Sequence, residues 1–446
     1  MEYKKVNRWR CQICFEEFQR ELPPIFCPFC GANKEYFFKI SEKSSKNKEL
    51  IDREENFLII GSGAAGYSAA KTIREKNKNA KIKVISSENY IPYNRPQLPV
   101  YLSKETLNAD MFIYPPNWYK DNNITLTLGK TVEKIKIHDK KIILEDGEEL
   151  SYDKLILANG SKSHILSIKG SNKQGVFTLR DIVDVNNIKA YMKKSSDTVV
   201  IGGGLLGLEA AWQLKQNGLN VTIVELAPTL LNHQLDQDGA QILKKYVNAA
   251  GINVLFRESI KKVFGKNKVV LVKLESEKIF KTDLVLFSVG IDPSKELVEN
   301  TDINSNQGII VNEKMETSVE NVYACGDVAE VNGKVYGNWS AAVEMGKIAG
   351  LNAVGVDGIF QNFVPSTIFE GMGIKLFSCG DINPDYQNFI IKDSTESFII
   401  KLFFKDDILV GGYLINDISL SKTIETAIKK GITSAEVKNS ILNGIL

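Results

Sequence analysis

Short apolar runs and helical patterns alternate twice along the middle of the chain. Phe57 to Ile60 is a continuous apolar run. A helix-spaced stretch, Ala64 to Lys76, follows it, and KIKVISSE then reads as a second strand ending at Glu88. The same succession returns at Thr198 to Ile201, through a helical stretch, to a strand closing at Glu225. Runs of this kind with helices between them predict parallel strands buried on both faces, an α/β architecture. Val132 to Glu145 reads as a hairpin. From about residue 357 the pattern changes: STIFEGMGIKLFSCG and FIIKLFFKDDILVGGYLI alternate like antiparallel strands, with DD as a turn, and Ile418 to Lys429 is helix-like. Ser41 to Glu55 holds nine charged residues in fifteen and reads as a solvated linker with room for a short helical piece.

Between each first strand and its helix stands a glycine fingerprint: Gly61, Gly63 and Gly66, then Gly202, Gly204 and Gly207. Glycines there allow the tight turn and the close approach of backbone to a pyrophosphate, which sits on the unpaired N–H groups of the helix N-terminus. Glu88 lies 22 residues past Gly66, and Glu225 lies 18 past Gly207. An acid at that place binds ribose hydroxyls. At Glu225 it would repel a 2′-phosphate, and Leu226, Ala227 and Pro228 supply no compensating cation, so NADH is favoured over NADPH. Two such units predict two dinucleotides side by side, one permanent and one exchanging. A doubly wound domain without nucleotide is the plainer reading of either unit alone.

Four of the six cysteines fall in the first 30 residues as CQIC and CPFC: Cys11, Cys14, Cys27 and Cys30. Two CxxC pairs at this spacing suit one tetrahedral metal. A pair of disulfides is the competing reading, disfavoured because MEYKKVNRWRC has no apolar signal core. About 40 residues bury too little apolar surface to fold without a staple. Trp9, Phe15, Phe18, Phe26, Phe29, Tyr36 and Phe37 would pack against the metal knuckles. A four-thiolate cage takes either zinc or iron.

These motifs carry resemblances. The first 40 residues, with WRC, CQIC and CPFCG, resemble the rubredoxin domains at the end of rubrerythrins, which hold one iron. Phe15 departs from the pattern, since glycine is usual after each CxxC; Gly31 keeps it. Residues 55 to 355 resemble the flavoprotein reductases with two dinucleotide-binding domains, on YDKLILANG, FSVGI and METSVENVYACGDVAE. Within them, YNRPQL, GGGLLGLEAA and NWSAAVEMG look most like NADH:rubredoxin reductases and nitrite-reductase flavoprotein modules. The resemblance implies FAD on Gly61, Gly63, Ala64, Ala65, Gly66, Glu88, Val132 and Asp327, with Arg95, Glu209 and Trp339 beside the flavin, and NADH on the second glycine unit. It implies a rubredoxin-like metal domain at 1–40, a linker at 41–55, an FAD domain split into 56–160 and 285–356, an NAD domain at 161–284 and a small α+β C-terminal domain at 357–446. That last domain completes the flavin site or mediates a homodimer; both stay open.

Disulfide reductases of this superfamily carry CxxxxC just after the first nucleotide unit, and related oxidases carry one Cys. The stretch SSENYIPYNRPQLPVYL has none. Cys325 reads as a small buried side chain, and Cys379 has no partner Cys near it in sequence. His138, His164 and His233 lie apart, none at metal-ligand spacing. Hydride transfer needs no acid–base group from the protein, so no catalytic nucleophile or base is named.

Lys+Arg 56 against Asp+Glu 54 leaves a net +2 with no long one-sign run, which argues against nucleic acid or an anionic membrane as partner. No apolar run approaches the roughly 20 residues of a spanning helix. The expectation is a cytoplasmic NADH-oxidising FAD reductase. Its electrons pass to an iron held by the four cysteines and on to a redox-protein acceptor. In one alternative the ribbon holds zinc and the flavin serves a separate carrier, oxygen or a nitrite-reducing partner. In another the chain is an NADH-sensing interaction protein with the ribbon as docking module.

Overall fold

The computed structural model describes residues 7–11, 17–24, 27, 32, 34–40, 51–106, 111–392 and 398–442. Two five-stranded parallel sheets form the body. In the first, strands Val322–Ala324, Lys154–Leu157, Asn56–Ile60, Lys81–Ser86 and Ile124–Leu128 lie in that spatial order. In the second the order is Val176–Thr178, Leu284–Phe287, Asp197–Ile201, Asn220–Glu225 and Asn253–Phe256. Their central strands are near-continuous Val, Ile and Leu because both faces are buried; in the second sheet one face packs on helices and the other on the antiparallel excursion at 260–281. Each sheet carries a three-stranded antiparallel excursion, at residues 132–151 in the first and 260–281 in the second.

The first sheet is discontinuous in sequence. Its edge strand Val322–Ala324 arrives only after the second sheet is complete. The chain leaves through Ser161–Ser163 and returns through Ile291–Pro293, and these two segments pair antiparallel. Helix Ala64–Lys76 spans the residues its periodicity predicts. It packs on Trp339–Ala353 at close range: a Cβ added at Gly346 would lie 2.2 Å from the Ala65 carbonyl oxygen. The Ser68 hydroxyl donates to the Val343 carbonyl across the same contact at 2.7 Å.

The C-terminal sheet is antiparallel, in the order Ser366–Gly371, Ile374–Gly380, Ile408–Ile415, Ile399–Lys405 and Gln387–Lys392. Asp406 and Asp407 form the predicted turn, both with positive φ. The helix starts at Ser421, three residues later than the periodicity suggests, and ends at Lys430 before Gly431 in the left-handed region. Lys401, almost fully buried, ion-pairs with Asp236 and Asp238 of the second parallel-sheet unit. The Tyr413 hydroxyl also donates to Asp236, at 3.0 Å. This network fixes the C-terminal sheet against helix Gln237–Ala249, which Asp236 caps by accepting from the Gly239 N–H at 3.1 Å.

At the N-terminus a three-stranded antiparallel sheet runs in the order Glu17–Arg20, Asn7–Cys11, Phe37–Ile40. Cys11, Phe18, Cys27, Ala32 and Phe37 make its core. The Phe18 and Phe37 rings meet edge to face at 5.5 Å. Residues 41–50 lie outside the described residues. The end of the expected solvated linker is not free: Ile51 bridges to Asn77, the Asn77 amide donates to the Arg53 carbonyl, and Glu54 pairs with Lys81. The apolar Ile51 and the polar seats on the following loop anchor it, which charge counting alone conceals.

The buried ion network generates a prediction. Lys401→Met removes the cation and leaves Asp236 buried without it, so unfolding free energy should fall by about 3–5 kcal/mol. Denaturant titration reads this as a lower midpoint at unchanged slope. A midpoint equal to that of the wild type would refute the network's structural role.

Candidate functional site

The C-terminal ends of the first sheet's strands open onto a cavity of about 790 Å³. That is the crevice where open α/β sheets bind ligands. The turn after strand Asn56–Ile60 forms its floor. Gly61 has φ +102°, and a Cβ there would lie 2.1 Å from the Ala158 carbonyl oxygen. Only glycine permits both this backbone and this approach. Gly63 caps helix Ala64–Lys76 with no side chain over the N–H groups, so the helix end faces the cavity bare.

Of the residues singled out in the sequence, Gly61, Gly63, Ala64, Ala65, Glu88, Arg95, Val132, Asp327 and Trp339 all line this cavity. Gly66 lies beneath it, packed on the Gly61 carbonyl. Glu88 accepts from the Tyr93 hydroxyl at 2.6 Å and ion-pairs with Arg95. Arg95 also donates to the Arg180 carbonyl at 2.8 Å and stands 5.0 Å from the centre of the Tyr93 ring. Burial opposes its charge, but Tyr93 and Glu88 outweigh that and raise its pKa. Burial foremost, with Glu88 adding to it, pushes the Tyr93 hydroxyl up, so it stays a donor. Asp327 accepts from the Ser161 hydroxyl at 2.8 Å and from Arg180 at 2.9 Å.

Arg180, Ser161, Lys130 and Asn159 also line the cavity and escaped the sequence reading. Lys130 and Asn159 follow parallel strands directly, so their place after a strand end was the available signal. Arg180 also follows a parallel strand, Val176–Thr178, but that strand belongs to the other parallel-sheet unit, 147 residues before its partner Asp327. Among the described residues the Asn159 side-chain oxygen is buried with no hydrogen-bond partner. A buried orphan acceptor costs about 1–3 kcal/mol unless something satisfies it. A long polar ligand with donors along its length fits this wall.

The second glycine unit repeats the turn. Gly202 has φ +107° and sits against the Ser288 carbonyl. Gly204 caps helix Leu205–Gln216 without a side-chain bond, and Gly207 packs on Gly202. Glu225 accepts from the Ala227 N–H at 2.6 Å and from the Gly203 N–H, so the acid is held over the glycine turn. None of Gly202, Gly204, Gly207 and Glu225 borders the first cavity. Glu209 does not border it either, although Leu206, one turn earlier on the same helix, does. Glu209 has no ion-pair partner among the described residues, and burial raises its carboxyl to about 8.

Cys325 lies in the cavity wall, fully buried, and burial pushes its thiol far up, as it does for Cys379. Both stay protonated and are poor nucleophiles. His164 pairs with Asp292 at 2.9 Å on the surface, and His138 with Asp302 at 3.2 Å. Cys11 and Cys27 are fully buried in the N-terminal sheet; Cys14, Cys30, Phe15 and Gly31 lie outside the described residues. Among the described residues no group of three or more His, Cys, Asp or Glu could hold a metal ion. None of the described helices is long and apolar enough to cross a membrane.

Glu209 supplies a pH prediction. Its folded pKa exceeds the unfolded value, so the folded chain holds the extra proton between about pH 4.5 and 8. Its contribution to stability is full below the unfolded pKa and is lost as pH rises through about 8. Glu209→Gln should flatten that decline and gain about 2 kcal/mol at pH 8, less than the full shift because the carboxyl keeps some access to water. Parallel pH–stability curves for the two proteins would contradict it.

Comparison with known proteins agrees with this architecture. Residues 55–346 match the family Pyridine nucleotide-disulphide oxidoreductase, and residues 365–432 match the Rubredoxin NAD+ reductase C-terminal domain. The chain is 33% identical over 390 residues to the NADH-rubredoxin oxidoreductase of Clostridium acetobutylicum, covering 87% of this chain and 98% of that protein. It is 32% identical over 394 residues to a nitrite reductase [NAD(P)H] of Bacillus subtilis, of which it spans 49%, against 87% of its own length. The crystal structure of the Clostridium acetobutylicum NADH:rubredoxin oxidoreductase superposes with a TM-score of 0.71 at 31% identity, covering 88% of this chain and all of that one. The bare helix end, the two glycine turns and these likenesses converge: the chain belongs to the pyridine nucleotide-disulphide oxidoreductase family, as an FAD-dependent oxidoreductase of the NADH-rubredoxin oxidoreductase type.

Proposed function

We propose that the chain oxidises NADH and passes the electrons through FAD to a one-electron acceptor, the first being an iron held by Cys11, Cys14, Cys27 and Cys30. The observation that carries this is the cavity at the first glycine turn in a chain without a usable thiol relay. Asp327, Arg180, Ser161 and Asn159 form one polar wall, Glu88 and Arg95 another, and the bare helix N-terminus lies between them. Residues of this kind fit FAD: an anion at the helix end, hydroxyls on the acids, donors for Asn159. When bound, FAD accepts two electrons as hydride and releases them singly. The protein's part is positional. Arg95 stays charged, the Tyr93 hydroxyl stays protonated, and Trp339 and Leu206 restrict water.

The reductant reading rests on Glu225. Its carboxylate is fixed over the second glycine turn by two backbone N–H groups, and the residues directly after it, Leu226, Ala227 and Pro228, supply no cation. A 2′-phosphate would meet that fixed charge. The domain assignments are those given from the sequence, with the FAD part interrupted by the NAD part.

For the N-terminal metal, support comes from the paired CxxC spacing, the three-stranded sheet and the complete burial of Cys11 and Cys27 against Phe18 and Phe37. Four thiolates hold ferrous and ferric iron without a change of ligands, which suits single-electron transfer. The names of the relatives point to protein acceptors of the rubredoxin kind, and such a protein is the proposed onward partner.

Two outcomes follow. Wild-type chain should favour NADH by at least tenfold in kcat/KM, and Glu225→Ala should narrow the preference several-fold. Equal wild-type rates with both donors would end the Glu225 reading. Protein purified anaerobically and then air-oxidised should be red, and NADH should bleach both the flavin and the iron absorption. Removing residues 1–50 should leave a yellow protein that still takes hydride. Zinc alone in the four-cysteine site after reconstitution with excess iron would instead favour direct donation from flavin to a separate carrier.

A further inference from the structure

The N-terminal sheet is seated on the C-terminal sheet. Tyr36 packs against the C-terminal core, and Ile368 packs against the small core of Cys11, Phe18, Cys27, Ala32 and Phe37. Lys375, on the strand beside Ile368 and opposite Glu370, ion-pairs with Glu35. The same ammonium donates to the Tyr36 hydroxyl at 3.5 Å and lies 5.5 Å from the centre of that ring. An apolar contact and a complementary charge pair thus meet on one hairpin, Ser366–Gly380.

The orientation is specific. Phe37, next to Tyr36, is paired with Cys11 across the N-terminal sheet, so the seated end is the end that carries Cys11. On the receiving side the Ser366 carbonyl accepts from the Asn338 side chain at 3.4 Å, and Asn338 caps the helix whose first residue, Trp339, lines the cavity. Only two strand residues, about 7 Å, separate Ser366 from Ile368.

We infer that the hairpin Ser366–Gly380 is a docking face for the chain's own N-terminal sheet, with Lys375 and Glu35 as its electrostatic latch, and that it presents the cysteine-bearing end to the Trp339 wall of the cavity. The electron-transfer part rests on the function proposed above; the docking itself does not. Bound flavin reduced by NADH would give up its two electrons one at a time, each converting ferric to ferrous iron, and would release to solvent the proton that came with the hydride. The second follows once the iron has passed the first to an outside acceptor. The pair is half-exposed, 39% for Lys375 and 52% for Glu35, so it is weak and screened by salt. Weakness suits a contact that must open. The segment between Ile40 and Ile51 spans at most about 40 Å, so the released sheet stays at high local concentration and reseats.

The test uses the full-length protein. Carbodiimide, which joins a carboxylate to an amine without a spacer, should couple Glu35 to Lys375 in dilute protein at low salt, identified by peptide mass spectrometry. The yield should fall several-fold at high salt, where charges are screened. In rapid mixing with NADH, Lys375→Glu should lower the rate of N-terminal iron reduction, divided by turnover with ferricyanide, two- to fivefold. The swap Glu35→Lys with Lys375→Glu should restore it. Absence of the coupled peptide, or a ratio unmoved by Lys375→Glu, overturns the docking face. If the peptide forms but NADH never bleaches the iron, docking stands and the electron route falls. If NADH bleaches the iron but no peptide forms, the electron route stands and docking falls.

Discussion

The structure depends on how closely backbone can approach backbone at the top of the first parallel sheet. The carbonyls of Ala158, Gly61 and Ala65 each stand about 2 Å from where a side chain would begin at Gly61, Gly66 and Gly346. Missing side chains let strand, turn and two helices converge there. That convergence aims the N-terminus of Ala64–Lys76 into open space, and the polar walls are arranged around the opening. A methyl group at Gly61 or Gly346 would push these parts apart and move every wall of the cavity with them.

Much of this architecture is legible in the residues. The glycine turns, the helix Ala64–Lys76, the strand ending at Glu225, the strand Lys81–Ser86, which stops two residues before Glu88, and the Asp406–Asp407 turn are local patterns, and local patterns survive being read one segment at a time. The contributions of Arg180 and Ser161 are not local. Their meeting with Asp327 depends on the chain leaving the first unit and returning, and spacing carries no trace of it. Residues 52–54 are exposed, as their composition suggests, while Ile51 and the Asn77 carboxamide add two anchors that charge counting does not show. Glu209 is partly buried, one turn beyond Leu206, the residue of its helix that borders the cavity.

The C-terminal sheet is more than a cover. Its buried Lys401 grips the second parallel-sheet unit, while Ser366 touches the cap of the helix that walls the first. A single small sheet therefore references both nucleotide units, and its outer hairpin carries the N-terminal sheet as well. Its buried contacts limit how far the two nucleotide units can drift, while the half-exposed pair on the hairpin holds the N-terminal sheet more loosely.

The paired segments Ser161–Ser163 and Ile291–Pro293 bear on synthesis as well as on architecture. Strand Lys154–Leu157 is made early, but its outer neighbour Val322–Ala324 emerges from the ribosome only after the whole second sheet. Until then the nascent first sheet presents a bare hydrophobic edge, the kind of surface on which foreign strands add. The intervening unit can fold meanwhile, because its two ends leave side by side and its sheet needs nothing from later in the chain. Translation order thus lets the second sheet pair before the first is complete, while the core on its helix face waits for Phe369, Phe403 and Tyr413 of the C-terminal sheet.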